Sequence, residues 1–288
     1  MGTSNSYGGP GDGLLPSWLD KPTPPPSVPP PASVPPGTPT PPPQPPQAQP
    51  PQPQPAQQAS PTPVRGGSLA SARASFTSFA GSGSRSKLDR GLSGYVRGVG
   101  GSRGATRRMG SSRGTAAAIL GFARDFQSVG PAGALGRFNL GALAGRPAEE
   151  VFARLLDHVC PAGGTVDEAI ARRGMLEAID ALAEANIGAF EQLTPEQLEE
   201  FVADFISNTI EARVLNDIGV RGITVPDDVA AVDNIQAQLH DAISGCVRDA
   251  LSGKLTGLAQ LTNEDVARTV DRIYEGAFDL IAALVEAV

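Results

Sequence analysis

The 288-residue chain has only two cysteines, two histidines and one tryptophan, and aromatic residues make up 5% of it. Cys160 and Cys246 cannot supply a disulfide framework, and a reducing cytoplasm is the simpler setting. A zinc site needs more ligands than these residues readily provide. His158 and Cys160 stand two apart, on different faces of a helix, and Cys246 falls on an apolar stripe where a buried thiol is the default. No apolar run approaches the roughly eighteen residues that cross a bilayer, and the basic start of a signal peptide is missing. A phosphate loop of the Gly-x-x-x-x-Gly-Lys-[Ser/Thr] type does not occur, and the glycines at 98–104 do not keep dinucleotide spacing. No two carboxylates stand out as an acid–base couple. These absences predict a cytoplasmic protein without metal, cofactor or membrane partner, acting as a binding or substrate component rather than an enzyme.

What is present is distributed unevenly. Of 28 prolines, 23 precede residue 64. The net charge of −7 resolves into −1 for residues 1–64, +9 for 65–113 and −15 for 114–288. Four segments follow: a linear peptide at 1–21, a disordered Pro-rich spacer at 22–64, a basic Gly/Ser/Arg-rich semi-ordered arm at 65–113, and an acidic all-α domain at 114–288. The spacer's Pro, Gln, Ala, Ser and Thr cannot bury enough apolar surface to offset the entropy of ordering. In a polyproline II conformation it would reach on the order of 100 Å.

In the arm, short helices are possible at about 68–80 and 86–97, although Gly91, Gly94 and Gly98 weaken that expectation. Beyond it the pattern is helix after helix. Residues 116–129 are Ala-rich, with Leu120, Phe122 and Phe126. Pro147 suits a first helical position ahead of Val151, Phe152, Leu155, Leu156 and Val159. Thr165 with Glu168, and Thr194 with Gln197, form capping boxes. The first leads into Val166, Ile170, Leu176, Ile179 and Leu182; the second into Leu198, Phe201, Val202, Phe205, Ile206 and Ile210, at i, i+3, i+4, i+7 spacing. Pro226 with Asp227 and Asp228 begins another helix, with Val229, Val232, Ile235, Leu239, Ile243 and Cys246 on one face, and Thr262 with Asp265 opens the last run. The expected fold is all-α: a bundle of five or six main helices behind a long disordered N-terminal region.

Two stretches are candidate sites. The first is MGTSNSYGGPGDGLLPSWLD, where Leu14, Leu15, Trp18 and Leu19 form an apolar cluster carrying the only tryptophan. An exposed tail would not need it, and tryptophan is enriched among binding hot spots. The start also matches the short Met-Gly-x-x-x-[Ser/Thr] acylation pattern. A small second residue favours loss of Met1, which frees the Gly2 amine; with a pKa near 8, about a tenth of it is nucleophilic at pH 7. The second stretch is the arm, where Arg97, Arg103, Arg107, Arg108 and Arg113 can contact nucleic-acid phosphates, recruit an acidic partner or fold back on the acidic domain.

The N-terminal peptide, the arm's ARASFTSFA and GATRRMGSSRG, and the runs LGRFNLGALAGRPAEEVF, DHVCPAGGTVDEAIAR and LTPEQLEEF resemble, in that order, the QatB subunit of bacterial Qat anti-phage defence systems. The resemblance implies a non-enzymatic subunit encoded beside a QueC-like enzyme (QatC), an ATPase (QatA) and a TatD-like nuclease (QatD). It carries no catalytic residues to this chain. QueC-like enzymes activate a deazaguanine carboxylate with ATP for attack by an amine, a role the Gly2 amine can fill while Trp18 and its leucines dock. The alternative is a nucleic-acid-binding module that uses 65–113 to recognise phage DNA or RNA.

Overall fold

The structure, a computed structural model, describes residues 69–160, 164–219 and 228–285. All of them fall within one compact unit. Among them are nine α-helices and no strand: α1 (Ala70–Ala80), α2 (Arg85–Gly98), α3 (Gly101–Arg107), α4 (Gly110–Arg137), α5 (Ala148–Val159), α6 (Val166–Glu184), α7 (Pro195–Ile218), α8 (Val229–Leu251) and α9 (Asn263–Ala283). The all-α class is as expected, and α4 to α9 are the six main helices.

Local chemistry places the ends. Thr165, Thr194 and Thr262 each accept the backbone N–H three residues on, while Glu168, Gln197 and Asp265 reach back to the cap's own N–H. Pro147 takes the cap position, one residue earlier than its first-turn expectation, with Ala148 opening α5. α4 begins at Gly110, ahead of the expected Ala-rich stretch, and is broken at Gly130, whose φ of 80° suits glycine, before Pro131 restarts the helix. The reversal returns Phe138 to Phe122, with ring centroids 5.8 Å apart.

α7 is the core helix. The whole stripe from Leu198 to Ile210 is buried, and α7 packs against α4, α6 and α8. Gly174 brings α6 close: a Cβ there would lie 2.6 Å from a Thr209 methyl. Six of the ten phenylalanines (Phe122, Phe126, Phe138, Phe152, Phe190 and Phe201) form one edge-to-face and tilted cluster where α4, α5 and α7 meet. The low aromatic content is thus concentrated where it holds most.

Three expectations are corrected: Val166 is 56% exposed, Leu176 50% and Val229 73%. Val166 opens α6, a turn ahead of its first buried residue, Ile170. In α6 the buried face runs through Ala171, Met175, Ala178 and Leu182, which turns Leu176 outward. The first turns of α8 project past the core, and burial begins at Leu239.

The larger correction concerns the arm. Residues 70–107 are α1, α2 and α3, and Phe76, Phe79, Leu88, Leu92, Tyr95 and Val96 belong to the same core cluster as α7 and α9. The composition boundary at residue 113 is therefore not a packing boundary. The glycines that weakened α2 in sequence serve its crossing with α1. A Cβ on Gly91 would sit 3.1 Å from the Phe76 ring, and one on Gly94 3.5 Å from Ala72 Cα. The cost of glycine in a helix, about 1 kcal/mol, is offset by burial of Phe76, worth roughly 2 kcal/mol or more.

Candidate functional site: the arginine seam

α7 ends with backbone carbonyls that have no partner within the helix, and three other elements bring cations or donors there. Arg73 of α1 donates through Nε to the Ile218 carbonyl at 2.7 Å and through Nη2 to that of Asp217 at 3.3 Å. The Asp217 carboxylate accepts the Tyr95 hydroxyl of α2 at 3.0 Å and Nη1 of Arg108, just past α3, at 3.2 Å. Buried Arg213, one turn before Asp217 and 3.8 Å from it, also donates to Asp167 in the first turn of α6. Burial, reinforced by Asp217, pushes the Tyr95 phenol far up, so it stays protonated and donates.

A second strip joins the arm to α9. Asp271, Glu275 and Asp279 stand four residues apart, on one helical face. Arg113 Nη1 donates to Asp271 at 2.6 Å, Arg103 Nε to Glu275 at 2.8 Å, and the Ser102 hydroxyl to Asp279. The hydrogen bond that Arg103 donates to Glu275 raises it above the usual guanidinium value.

Of the five arginines named as candidate contacts, three pair with carboxylates of the acidic half: Arg103, Arg108 and Arg113. Arg97 folds onto its own helix, donating to the Ser93 carbonyl and hydroxyl. Arg107 is exposed, with no hydrogen bond or ion pair among the described residues. Of the three fates open to the arm in sequence, folding back is the one the geometry displays. A phosphate approaching Arg103 or Arg113 would meet Glu275, Asp279 and Asp271 beside it. Gly2, Leu14, Leu15, Trp18 and Leu19 lie outside the described residues, as does the spacer.

Sequence reasoning missed Asp217, Arg213 and Asp167, although a signal existed. Arg213 stands three residues after Ile210 and seven after Ile206, on the buried stripe, where a cation must find an internal partner. It also missed two other constellations. Asp125, buried on α4, is held by Arg124 and Arg137. Between α7 and α8, Glu211 Oε2 lies 3.0 Å from His240 Nδ1, and Ser244 Oγ lies 3.1 Å from His240 Nε2. That order resembles a nucleophile relay, but Ser244 is 1% exposed and sits mid-helix, where its N–H is committed to the helix. The relay ties α7 to α8. The hydrogen bond that His240 donates to Glu211 raises its pKa against the opposing effect of burial. Cys160 and Cys246 are free and buried, and burial pushes the Cys246 thiol up to about 11. No group of three or more His, Cys, Asp or Glu suited to a metal ion occurs among the described residues, and none of their helices is long and apolar enough to cross a membrane.

The described residues thus form an all-α body whose basic N-terminal helices are paired with its acidic C-terminal half. The family described as Qat anti-phage system associated protein QatB matches residues 100–281, from the start of α3 nearly to the end of α9. The chain belongs to the QatB family and is a component of the Qat anti-phage system. No curated protein and no solved structure matches the chain.

Proposed function

We propose that this QatB-family chain is a non-enzymatic subunit that presents its N-terminal peptide to a QueC-like partner for binding and covalent modification. Loss of Met1 exposes the Gly2 amine. That nitrogen attacks an ATP-activated carboxylate on the partner; an amide C–N bond forms, the acyl–phosphate bond breaks, AMP leaves, and the amine gives its proton to a base. Leu14, Leu15, Trp18 and Leu19 dock on the partner, and the Pro-rich spacer lets the peptide reach it. The ATPase and TatD-like nuclease of the same system are further partners.

The observation that carries this reading is the chain's only tryptophan, set in an apolar cluster between a Gly-rich start and a tether of 21 prolines. Family membership supplies the setting. The paired state of Arg103, Arg108 and Arg113 weighs against the nucleic-acid alternative, because phosphate must displace carboxylates to reach them. Affinity of the whole chain for the QueC-like protein tests it. Trp18→Ala should weaken the complex by roughly 2 kcal/mol. An unchanged affinity, or salt-sensitive capture of DNA that is lost in Arg107→Gln, would favour the alternative instead.

A further inference from the structure

The break at Gly130 builds a cleft that the function above does not use. The returning end of α4 brings Arg137 and Phe138 over the first half of the same helix, leaving a cavity of about 390 Å3 between them and the start of α9. Its floor is almost without side chains: Ala117, Ala118 and Gly121, the last with nothing within 4 Å of where a Cβ would lie. The Phe122 and Phe138 rings form a wall.

The charges in the cleft are unequally committed. Arg124 is fully occupied. Its Nε donates to Asp125 at 3.0 Å, and its Nη1 to the Leu261 carbonyl at 3.3 Å and to Asn263 Oδ1 at 2.6 Å; Nη2 lies 2.9 Å from Asp125. Arg137 makes a single bond, Nη1 to Asp125 Oδ2 at 2.6 Å, with its side chain 52% exposed. The Nε and Nη2 edge of its guanidinium therefore has no partner among the described residues. That edge is the pair of parallel N–H groups that grips a carboxylate in bidentate fashion. Two arginines and one aspartate leave one net positive charge, which one carboxylate neutralises.

We propose that this cleft is a binding site for a carboxylate carried on a flat apolar body: the acid group on the free edge of Arg137, the body over Ala117, Ala118 and Gly121 against the phenylalanine rings. Asp125 is the positioning residue, fixing the guanidinium through Nη1 so that its other edge faces the cavity. The same chemistry is offered by a small aromatic acid and by an aromatic residue at the C-terminus of a peptide.

Ligand-observed NMR titration of the full chain with 2-naphthoate tests the site. For a ligand of this size, binding on the order of 1 mM is expected, with 2-naphthalenemethanol, which lacks the charge, about tenfold weaker or more. Comparing N-acetylphenylalanine with its amide separates the sources: a preference for the free acid that exceeds the affinity for naphthoate assigns a peptide terminus, and the reverse assigns a small acid. Arg137→Gln should lower naphthoate affinity about tenfold. Because that change also loosens Asp125, Gly121→Leu is the cleaner variant. It fills the floor, suits a helix better than glycine, and should abolish binding with melting temperature unchanged or raised. Naphthoate binding that survives both substitutions, equal binding of the alcohol, or no saturation below about 10 mM would overturn the proposal.

Discussion

Removing the Asp217 carboxylate takes an acceptor from Tyr95 and Arg108 and leaves buried Arg213 nearer to an uncompensated charge. Asp217→Ala should therefore cost about 3 kcal/mol in chemical denaturation. Arg103→Ala should leave the denaturation midpoint unchanged despite its 2.8 Å bond to Glu275, because its side chain is 82% exposed and water screens the pair. The contrast separates the hub at α7 from the outer strip along α9. His240 gives a pH signature. Its folded pKa is raised above the ordinary value of 6.5 by Glu211. The stability it contributes is fully present below about pH 6.5 and is lost as pH rises through the folded value. The difference in unfolding free energy between the native chain and His240→Gln should accordingly be larger at about pH 6 than at about pH 8.5; a pH-independent difference would show that the pair does not form. Asp204 and Asp241 also face this imidazole and raise it in the same direction.

At the scale of elements, what was legible in the sequence was local. Two capping boxes, the start at Thr262 and Asp265, and the α7 stripe could be seen because cap and stripe lie within a few residues of each other. Val166, Leu176 and Val229 were misplaced because a helix with apolar residues on more than one face does not say which face, or which turn, meets a neighbour. The α1–α2 pair was underrated because a glycine's helix cost is written in the sequence, whereas its close approach to Phe76 is not. Glycines of equal local propensity should then behave oppositely. Gly91→Leu drives a side chain into the Phe76 ring and should cost about 2 kcal/mol. Gly114→Ala, in α4 with nothing within 4 Å, should add roughly 0.5–1 kcal/mol. Thermal melts of the two variants decide this; a Gly91→Leu variant as stable as the native chain would mean that α1 and α2 do not cross there. The arginine seam was foreseen only as one of three possible outcomes, since net charges of +9 and −15 say that segments can attract but not which residues pair.

For the whole molecule, the division that counts is not the one composition suggests. Tyr95, Leu92, Val96 and Met109 share a core with α7 and α9, so a fragment of residues 69–288 should unfold cooperatively while one of 114–288 should not. Deleting residues 2–20 should leave that body folded and remove function in phage challenge. The leader's role is tested most directly by the intact mass of the chain's N-terminal peptide, isolated from cells with and without the QueC-like partner. The expected result is a peptide lacking Met1, carrying one added acyl group on the Gly2 nitrogen only when the partner is present. A bare Gly2 amine in both preparations would contradict it.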